Sequence, residues 1–86
     1  MEWISFFGPR RPINGQLIWY FGEAIGKHRA GKYVYCPDDP FDQHMIQSTI
    51  CAGWCDRMDA PWWMPDEGQP TPDDPPTLYP EDYPKY

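Results

Sequence analysis

The sequence lacks several features that mark large classes of proteins. It contains no run of about 20 apolar residues, which argues against a membrane-spanning helix. Its first residues, MEWISFFGPRRP, lack the basic start and the long apolar stretch of a secretion signal. Cysteine is scarce and odd in number, with three residues, and we expect these to be reduced thiols. The sequence therefore predicts a cytoplasmic protein without membrane association.

Bulky apolar residues are also nearly missing after Pro65, and this shortage divides the chain in two. Residues 66–86, hereafter the tail, contain six prolines, six carboxylates and one lysine. Such a composition buries too little apolar surface to offset its ordering entropy. Residues 1–65 hold all five tryptophans, and each buried ring removes roughly 150–250 Å² from water. We predict a small domain over residues 1–65 and a disordered tail, in which tyrosines are the only residues suited to docking.

The net charge of −6 is concentrated in the tail. Six carboxylates against Lys85 give the tail a charge of −5, which leaves −1 for residues 1–65. A protein that imitates DNA needs carboxylates over its folded surface, so the sequence disfavours nucleic-acid mimicry.

Three segments separated by glycine-containing turns have the composition of β-strands. Residues 16–21 are the clearest, because they are rich in β-branched and aromatic side chains. Residues 24–29 and 32–36 follow, with a tight reversal expected at Ala30 and Gly31. The sequence predicts a mainly β domain, either a small antiparallel meander or a partly closed barrel. The apolar residues 62–65 are expected to pack back on it as the last element.

The segment from residue 40 to residue 55 fits two structures. Asp39 as N-cap with Pro40 after it is a sound helix start, and Phe41 and Met45 recur at helical spacing. Residues 46–51 read equally well as a strand. We predict a short helix or turn near residues 40–46, followed by a strand or an extended stretch.

The two ends of the domain carry a family resemblance. Trp-Ile-Ser at residues 3–5 and Trp-Met-Pro at residues 63–65, with a proline-containing break and an aliphatic-aromatic strand between them, resemble a small domain family of bacteriophages and prophages. That family has no assigned function, and the resemblance implies a small, β-rich, phage-borne and non-enzymatic protein. The chain departs from the family pattern over residues 36–58, and many members have a polar residue in place of Trp62.

A partner-binding surface is the function that this combination favours. Tryptophan is enriched among the residues that dominate protein interfaces. Core positions are favoured for Trp3, Trp19 and Trp63, whereas Trp54 and Trp62 fit core and surface equally. We take Trp54, Trp62, Asp66 and Glu67 as the candidate partner-binding residues. The predicted function is that of a phage-borne accessory protein that binds and inhibits or modulates a host protein, such as a defence nuclease or a transcription component, in the bacterial cytoplasm.

A zinc-stabilised module is the first alternative. Its four candidate ligands are a typical set for structural zinc, namely Cys36, His44, Cys51 and Cys55. The spacing argues against the site, because it contains no pair of C-x2-C knuckles. We therefore predict no metal and no other cofactor.

A nucleic-acid-binding hairpin is the second alternative. Lys27, Arg29 and Lys32 flank the expected turn, and nearby tyrosines offer rings on which bases stack. The simpler interpretation is a solvated hairpin. The acidic tail would compete with phosphate for these cations, which suggests that it folds back on residues 27–32.

An enzyme is the least favoured class. Cys51 or Cys55 could pair with His28 or His44, but the sequence shows nothing that would activate a thiol. A domain of about 65 residues also has little room for a shielded pocket.

Overall fold

The computed structural model describes residues 2–35, 44–48 and 53–84. Within these ranges the chain forms seven short β-strands and no helix, so the prediction of a mainly β domain is confirmed. The strands are β1 (Ile4–Ser5), β2 (Ile18–Gly22), β3 (Gly26–Arg29), β4 (Tyr33–Tyr35), β5 (His44–Gln47), β6 (Trp54–Asp56) and β7 (Trp62–Pro65). A membrane-crossing helix is absent from the described ranges as well.

Four strands form the first sheet, in the order β1-β7-β2-β3. All neighbours in it are antiparallel, and β7 lies between β1 and β2. The best predicted strand corresponds to β2, in which every residue is buried. The predicted closing element corresponds to β7, which pairs with β2 through Trp63 opposite Tyr20. The last apolar segment of the domain does pack back on the predicted strands.

The predicted meander ends after two strands. β2 and β3 form the expected hairpin, but β4 pairs with β5 in a second, three-stranded sheet of order β4-β5-β6. The chain changes sheets at residues 30 and 31. The Ala30 N–H donates to the Ile18 carbonyl at 2.8 Å, and the Gly31 N–H donates to the Gln47 carbonyl at 3.2 Å. A Cβ at Gly31 would displace the end of the exposed Gln47 side chain.

The prediction of a helix or turn near residues 40–46 is wrong where the structure tests it. Residues 44–47 form β5, which is paired on both sides by β4 and β6. Its side chains alternate, with Ile46 buried and Gln47 exposed, which is the period of a strand. Pairing on both edges decides the conformation over local helical spacing. Residues 36–43 and 49–52 lie outside the described ranges.

The core lies between the two sheets. Its buried residues are Phe6, Ile18, Tyr20, Ala30, Tyr33, Ile46, Ala60 and Trp63. The Phe6 ring joins the sheets, with its centroid 6.0 Å from that of Trp63 and 5.9 Å from that of Tyr33. Trp63 therefore has the core position that the sequence predicts.

The structure describes the tail up to residue 84, and its predicted disorder stays a prediction. Residues 66–84 form no strand or helix, but they lie against the domain and make specific contacts with it. The radius of gyration is 12.0 Å, the value of about 12 Å expected for a compact chain of this full length. The tail is thus irregular in conformation and packed in position.

Candidate binding face

The first sheet carries a second apolar surface on the side away from the core. Side chains alternate along a strand, so the neighbours of the core residues Tyr20 and Trp63 point outward. The strand register places Trp19 opposite Met64 and Phe21 opposite Trp62. Trp3 joins them, with its ring centroid 6.0 Å from that of Phe21. We call this surface the aromatic face; it consists of Trp3, Trp19, Phe21, Trp62 and Met64.

Two cations border the aromatic face along β3. Lys27 lies opposite Phe21 and Arg29 opposite Trp19, so both side chains leave the sheet on this outer side. The Arg29 guanidinium carbon lies 4.8 Å from the centroid of the Trp19 ring, within the range of a cation–π interaction. The face therefore combines large rings with positive charge.

The first part of the tail covers this face. We call residues 66–76 the proline segment. Trp19 and Phe21 are each 5% exposed and Met64 is 1% exposed, although none of them belongs to the core between the sheets. The proline segment supplies a buried Pro75 and a half-buried Pro72. The aromatic face is closed by the chain's own tail.

Side chains of the domain hold the proline segment by its backbone carbonyl groups. The Trp3 indole N–H donates to the Asp73 carbonyl at 2.6 Å. The Lys27 ammonium donates to the Pro72 carbonyl at 2.8 Å. Arg29 makes a longer contact, 3.4 Å, with the Gln69 carbonyl. In these three bonds the domain donates and the proline segment accepts.

Two ion pairs add to these hydrogen bonds. The Lys27 ammonium lies 2.9 Å from a carboxylate oxygen of Asp74, and Arg29 Nε lies 3.7 Å from one of Asp66. The Asp74 side chain is largely exposed, so its pair contributes about 0–1 kcal/mol. The charges position the segment more than they stabilise it.

The proline segment does not fill the surface that it covers. A groove of about 630 Å³ remains between Trp3, Trp62 and Met64 on the sheet and the prolines of the segment. The indole N–H groups of Trp19 and Trp62 are buried and have no hydrogen-bond partner in the described part of the chain. A buried donor without an acceptor costs about 1–3 kcal/mol. The face thus keeps space and donors that its own tail leaves unused.

Two tyrosines hold residues 79–83 against the domain. The Tyr83 hydroxyl donates to the Met58 carbonyl at 3.1 Å, and its ring packs edge-on against Phe7. The Tyr79 hydroxyl donates to the Glu23 carboxylate. That hydrogen bond, together with the negative charge of Glu23, raises the pKa of Tyr79 above its ordinary value. Tyr79 and Tyr83, two of the tail tyrosines that the sequence marks as suited to docking, thus contact the domain.

The structure brings three of the four predicted partner-binding residues to this region. Trp62 lines the groove, and Asp66 pairs with Arg29. Glu67 is exposed, and its N–H bonds to the side chain of Gln69 at 2.7 Å. Trp54 lies on β6 of the other sheet and is 46% exposed. The prediction joined surfaces that belong to different sheets.

Sequence reasoning missed Trp3, Trp19 and Phe21 as parts of this face. Trp3 and Trp19 were assigned to the core, and they are indeed at least half-buried, but beneath the tail. A signal was present, because residues 19 and 21 alternate with residues 18 and 20, all of them bulky. A strand with bulky side chains on both sides needs cover on both sides.

The basic hairpin is only partly assembled. Lys27 and Arg29 share one side of β3 and contact the tail, as the fold-back hypothesis predicted. Lys32 follows the sheet crossing, and its ammonium lies 5.9 Å from the centroid of the Trp54 ring. The three cations therefore do not form one patch.

The zinc hypothesis is tested at two of its four residues. His44 is 4% exposed, its Nδ1 is hydrogen-bonded to the Tyr33 hydroxyl, and its ring stacks on Tyr35. Cys55 packs against the core. Among the described residues no group of three or more His, Cys, Asp or Glu is placed to hold a metal. Cys36 and Cys51 lie outside the described ranges.

The chain matches no family model, no curated protein and no solved structure. The resemblance to a phage domain family accordingly stays a prediction.

Proposed function

We propose that this protein is a non-catalytic binding module that takes up a segment of another protein on its aromatic face. The observation that carries the proposal is the placement of three tryptophans and a phenylalanine on the side of the sheet away from the core. The segment that lies over these rings makes no strand pairing with the domain. Large apolar patches of this kind mark interaction sites when they are uncovered.

The domain has two layers of rings, one between the sheets and one on the outer side of the first sheet. The rings between the sheets already form a closed core around Phe6 and Trp63. The outer rings add nothing to that core, so a different use for them is expected. Tryptophan, with a broad apolar ring and one N–H donor, suits recognition of another chain.

The wider role is proposed from the sequence resemblance. On this view the module is phage-borne, acts in the cytoplasm of a bacterial host, and binds a host protein such as a defence nuclease or a transcription component. It inhibits or modulates that protein by occluding its surface. No cofactor is needed for this role, since binding alone produces the effect.

The experiment is affinity capture with the full-length protein, comparing two matched tryptophan variants. Trp62→Ala removes a ring from the aromatic face, and Trp54→Ala removes an exposed ring from the other sheet. We expect one host protein to be recovered by the wild type and by Trp54→Ala, and at least tenfold less of it by Trp62→Ala, since a central ring contributes about 2 kcal/mol or more.

Thermal unfolding of each variant serves as the control for folding. Recovery that is lost with Trp54→Ala and retained with Trp62→Ala would contradict the proposal, because it would move the binding site to the second sheet.

Binding of single-stranded nucleic acid is a second candidate. It is favoured by the proximity of Lys27 and Arg29 to the rings of the aromatic face, an arrangement that suits bases and phosphates. Two cations are few for a phosphate-binding surface, however, and residues 1–65 have a net charge of −1. The protein segment is therefore the preferred ligand.

A further inference from the structure

We propose that the ligand of the aromatic face is an extended, proline-rich and acidic segment of a partner protein, and that residues 66–76 are a built-in competitor for it. The inference rests on the proposed function and deepens it, because it names the chemistry of the ligand. It also assigns the tail a regulatory role, that of keeping the face closed until a better segment displaces it.

Hydrogen-bond donors of the domain face acceptors of the proline segment. Proline has no N–H, so a proline-rich segment offers carbonyl acceptors and few donors. Trp3, Lys27 and Arg29 offer only donors in their contacts with the segment. A segment without proline offers the same carbonyl groups, but it also carries a backbone N–H at every residue, and these three donors give such groups no acceptor. The domain thus favours a backbone with few N–H groups.

Prolines of the segment and rings of the aromatic face line the same groove. Pro70, Pro72 and Pro76 line the groove on the side facing Trp3 and Trp62. Proline-rich segments are extended before they bind, so they lose little entropy, and aromatic grooves are their usual receptors. The alternation of proline with polar residues at positions 70–73 fits this mode of recognition.

The domain and the proline segment carry opposite charges where they meet. Lys27 and Arg29 pair with Asp74 and Asp66, at the two ends of the segment. A proline-rich ligand that carries carboxylates at this separation reproduces both pairs, whereas a basic one is repelled. The cations therefore select acidic members of the proline-rich class and fix their position.

Unfilled space and unpaired donors on the aromatic face allow a partner segment to displace the tail. The proline segment leaves a groove of about 630 Å³ and leaves the Trp19 and Trp62 indole N–H groups without a partner among the described residues. A partner segment with a larger side chain in the groove, or with carbonyls facing these indoles, would bind better. The tethered tail has an effective concentration on the order of 1 mM, so a ligand free in solution must exceed that advantage.

The test uses a synthetic peptide of residues 66–78, which contains neither Trp nor Tyr, so the tryptophan fluorescence of the protein reports its binding. It is titrated into the full-length wild type and into a full-length variant whose residues 69–76 are replaced by alternating Gly and Ser. We expect saturable binding to the Gly/Ser variant and at least about tenfold weaker binding to the wild type, in which the tethered segment competes.

Matched controls test each part of the ligand chemistry. A peptide with alanine at its four prolines and a peptide with Asp66→Asn and Asp74→Asn should each bind several-fold more weakly. In the protein, Lys27→Met should weaken binding, and Lys32→Met, a cation outside the face, should leave it unchanged. If the Gly/Ser variant fails to fold by near-ultraviolet circular dichroism, the full-length Asp66→Asn/Asp74→Asn protein replaces it, with about threefold tighter peptide binding expected than for the wild type.

Several outcomes would overturn the inference. Equal affinities of the two proteins for the peptide, or no saturable binding to the folded variant, would remove the competitor. Tighter binding of a single-stranded oligonucleotide than of the peptide would make nucleic acid the ligand. A wild-type dimer in sedimentation, dissociated by the peptide, would make a second copy the occupant. Capture of a host protein through Trp62 without any peptide binding would reject this ligand class and leave the proposed function standing.

Discussion

The two sides of the first sheet are equally rich in large side chains and are closed in different ways. On the inner side, Tyr20 and Trp63 meet the second sheet through Phe6 and Tyr33. On the outer side, Trp19 and Phe21 are almost as well buried, but beneath a segment with no strand pairing. The cover of the inner side is built from hydrogen-bonded strands, and that of the outer side from a few side-chain contacts to carbonyl groups.

This difference separates stability from exchange. Opening the inner side separates the two sheets and exposes the core, so its free energy approaches that of global unfolding. Opening the outer side breaks three side-chain hydrogen bonds to carbonyl groups, the bond from the Asp66 N–H to the Leu17 carbonyl, and two ion pairs, each of modest energy. Burial alone would not have told the two sides apart; what buries each ring does.

The largest expected effect comes from emptying one position on each side. Trp63→Ala should lower the free energy of unfolding by about 3–5 kcal/mol, the usual cost of removing a buried tryptophan from a core. Trp62→Ala, its neighbour on the outer side, should lower it by about 1 kcal/mol, because the tail can settle into the space. Urea titration monitored by far-ultraviolet circular dichroism measures both. Equal losses in the two variants would show that the tail is as integral to the fold as the second sheet.

A smaller effect is expected from loosening the cover itself. Trp3→Phe keeps a ring on the aromatic face and removes the donor to the Asp73 carbonyl, which should cost about 1 kcal/mol of local closure. The open population would rise about fivefold, and so would the rate at which a protease specific for Asp cleaves near Asp73. Global unfolding by urea should change little. Cleavage at the wild-type rate would mean that this bond does not hold the segment.

The smallest effect is expected at high pH. The pKa of Tyr79 is raised by its hydrogen bond to the Glu23 carboxylate, so the protonated phenol is the form that the folded chain favours. The contribution is complete below the ordinary tyrosine pKa of about 10 and is lost as pH rises through the higher folded value. Phenolate absorbance at 295 nm should therefore titrate later in the wild type than in Glu23→Gln. Identical titration curves would place the tyrosine away from the carboxylate in solution.

Local pattern was sufficient for the strands whose partners are adjacent or whose composition is extreme. The β2–β3 hairpin follows from aromatic and β-branched residues next to a glycine turn. The closing strand β7 follows from its apolar run. The predicted turn at Ala30 and Gly31 is wrong in its consequence, because Gly31 packs against Gln47 and directs the chain into the other sheet. That contact joins residues 16 positions apart, which local propensity does not register.

The candidate site shows the same division. Trp62 and Asp66 could be singled out as residues at the junction of domain and tail, and the fold-back of carboxylates on residues 27–32 could be inferred from charge. The sequence could not show that Trp54 lies apart from these residues, because strand order decides which sheet each residue occupies. Composition also predicted a disordered tail, yet proline reduces the entropy that an extended segment has left to lose. Docking on exposed rings then needs less compensation than the composition suggests.

Composition and alternation along single strands were enough to predict a small β domain, the core position of Trp63 and the concentration of charge in the last residues. Which rings share a surface, and which segment covers them, depends on how the strands pair. The physical reason is that register assigns side chains to a side of the sheet, and register is set by contacts between distant parts of the chain. The pairing of Lys27 with Asp74 and of Trp3 with Asp73 exists only once β7 has inserted between β1 and β2.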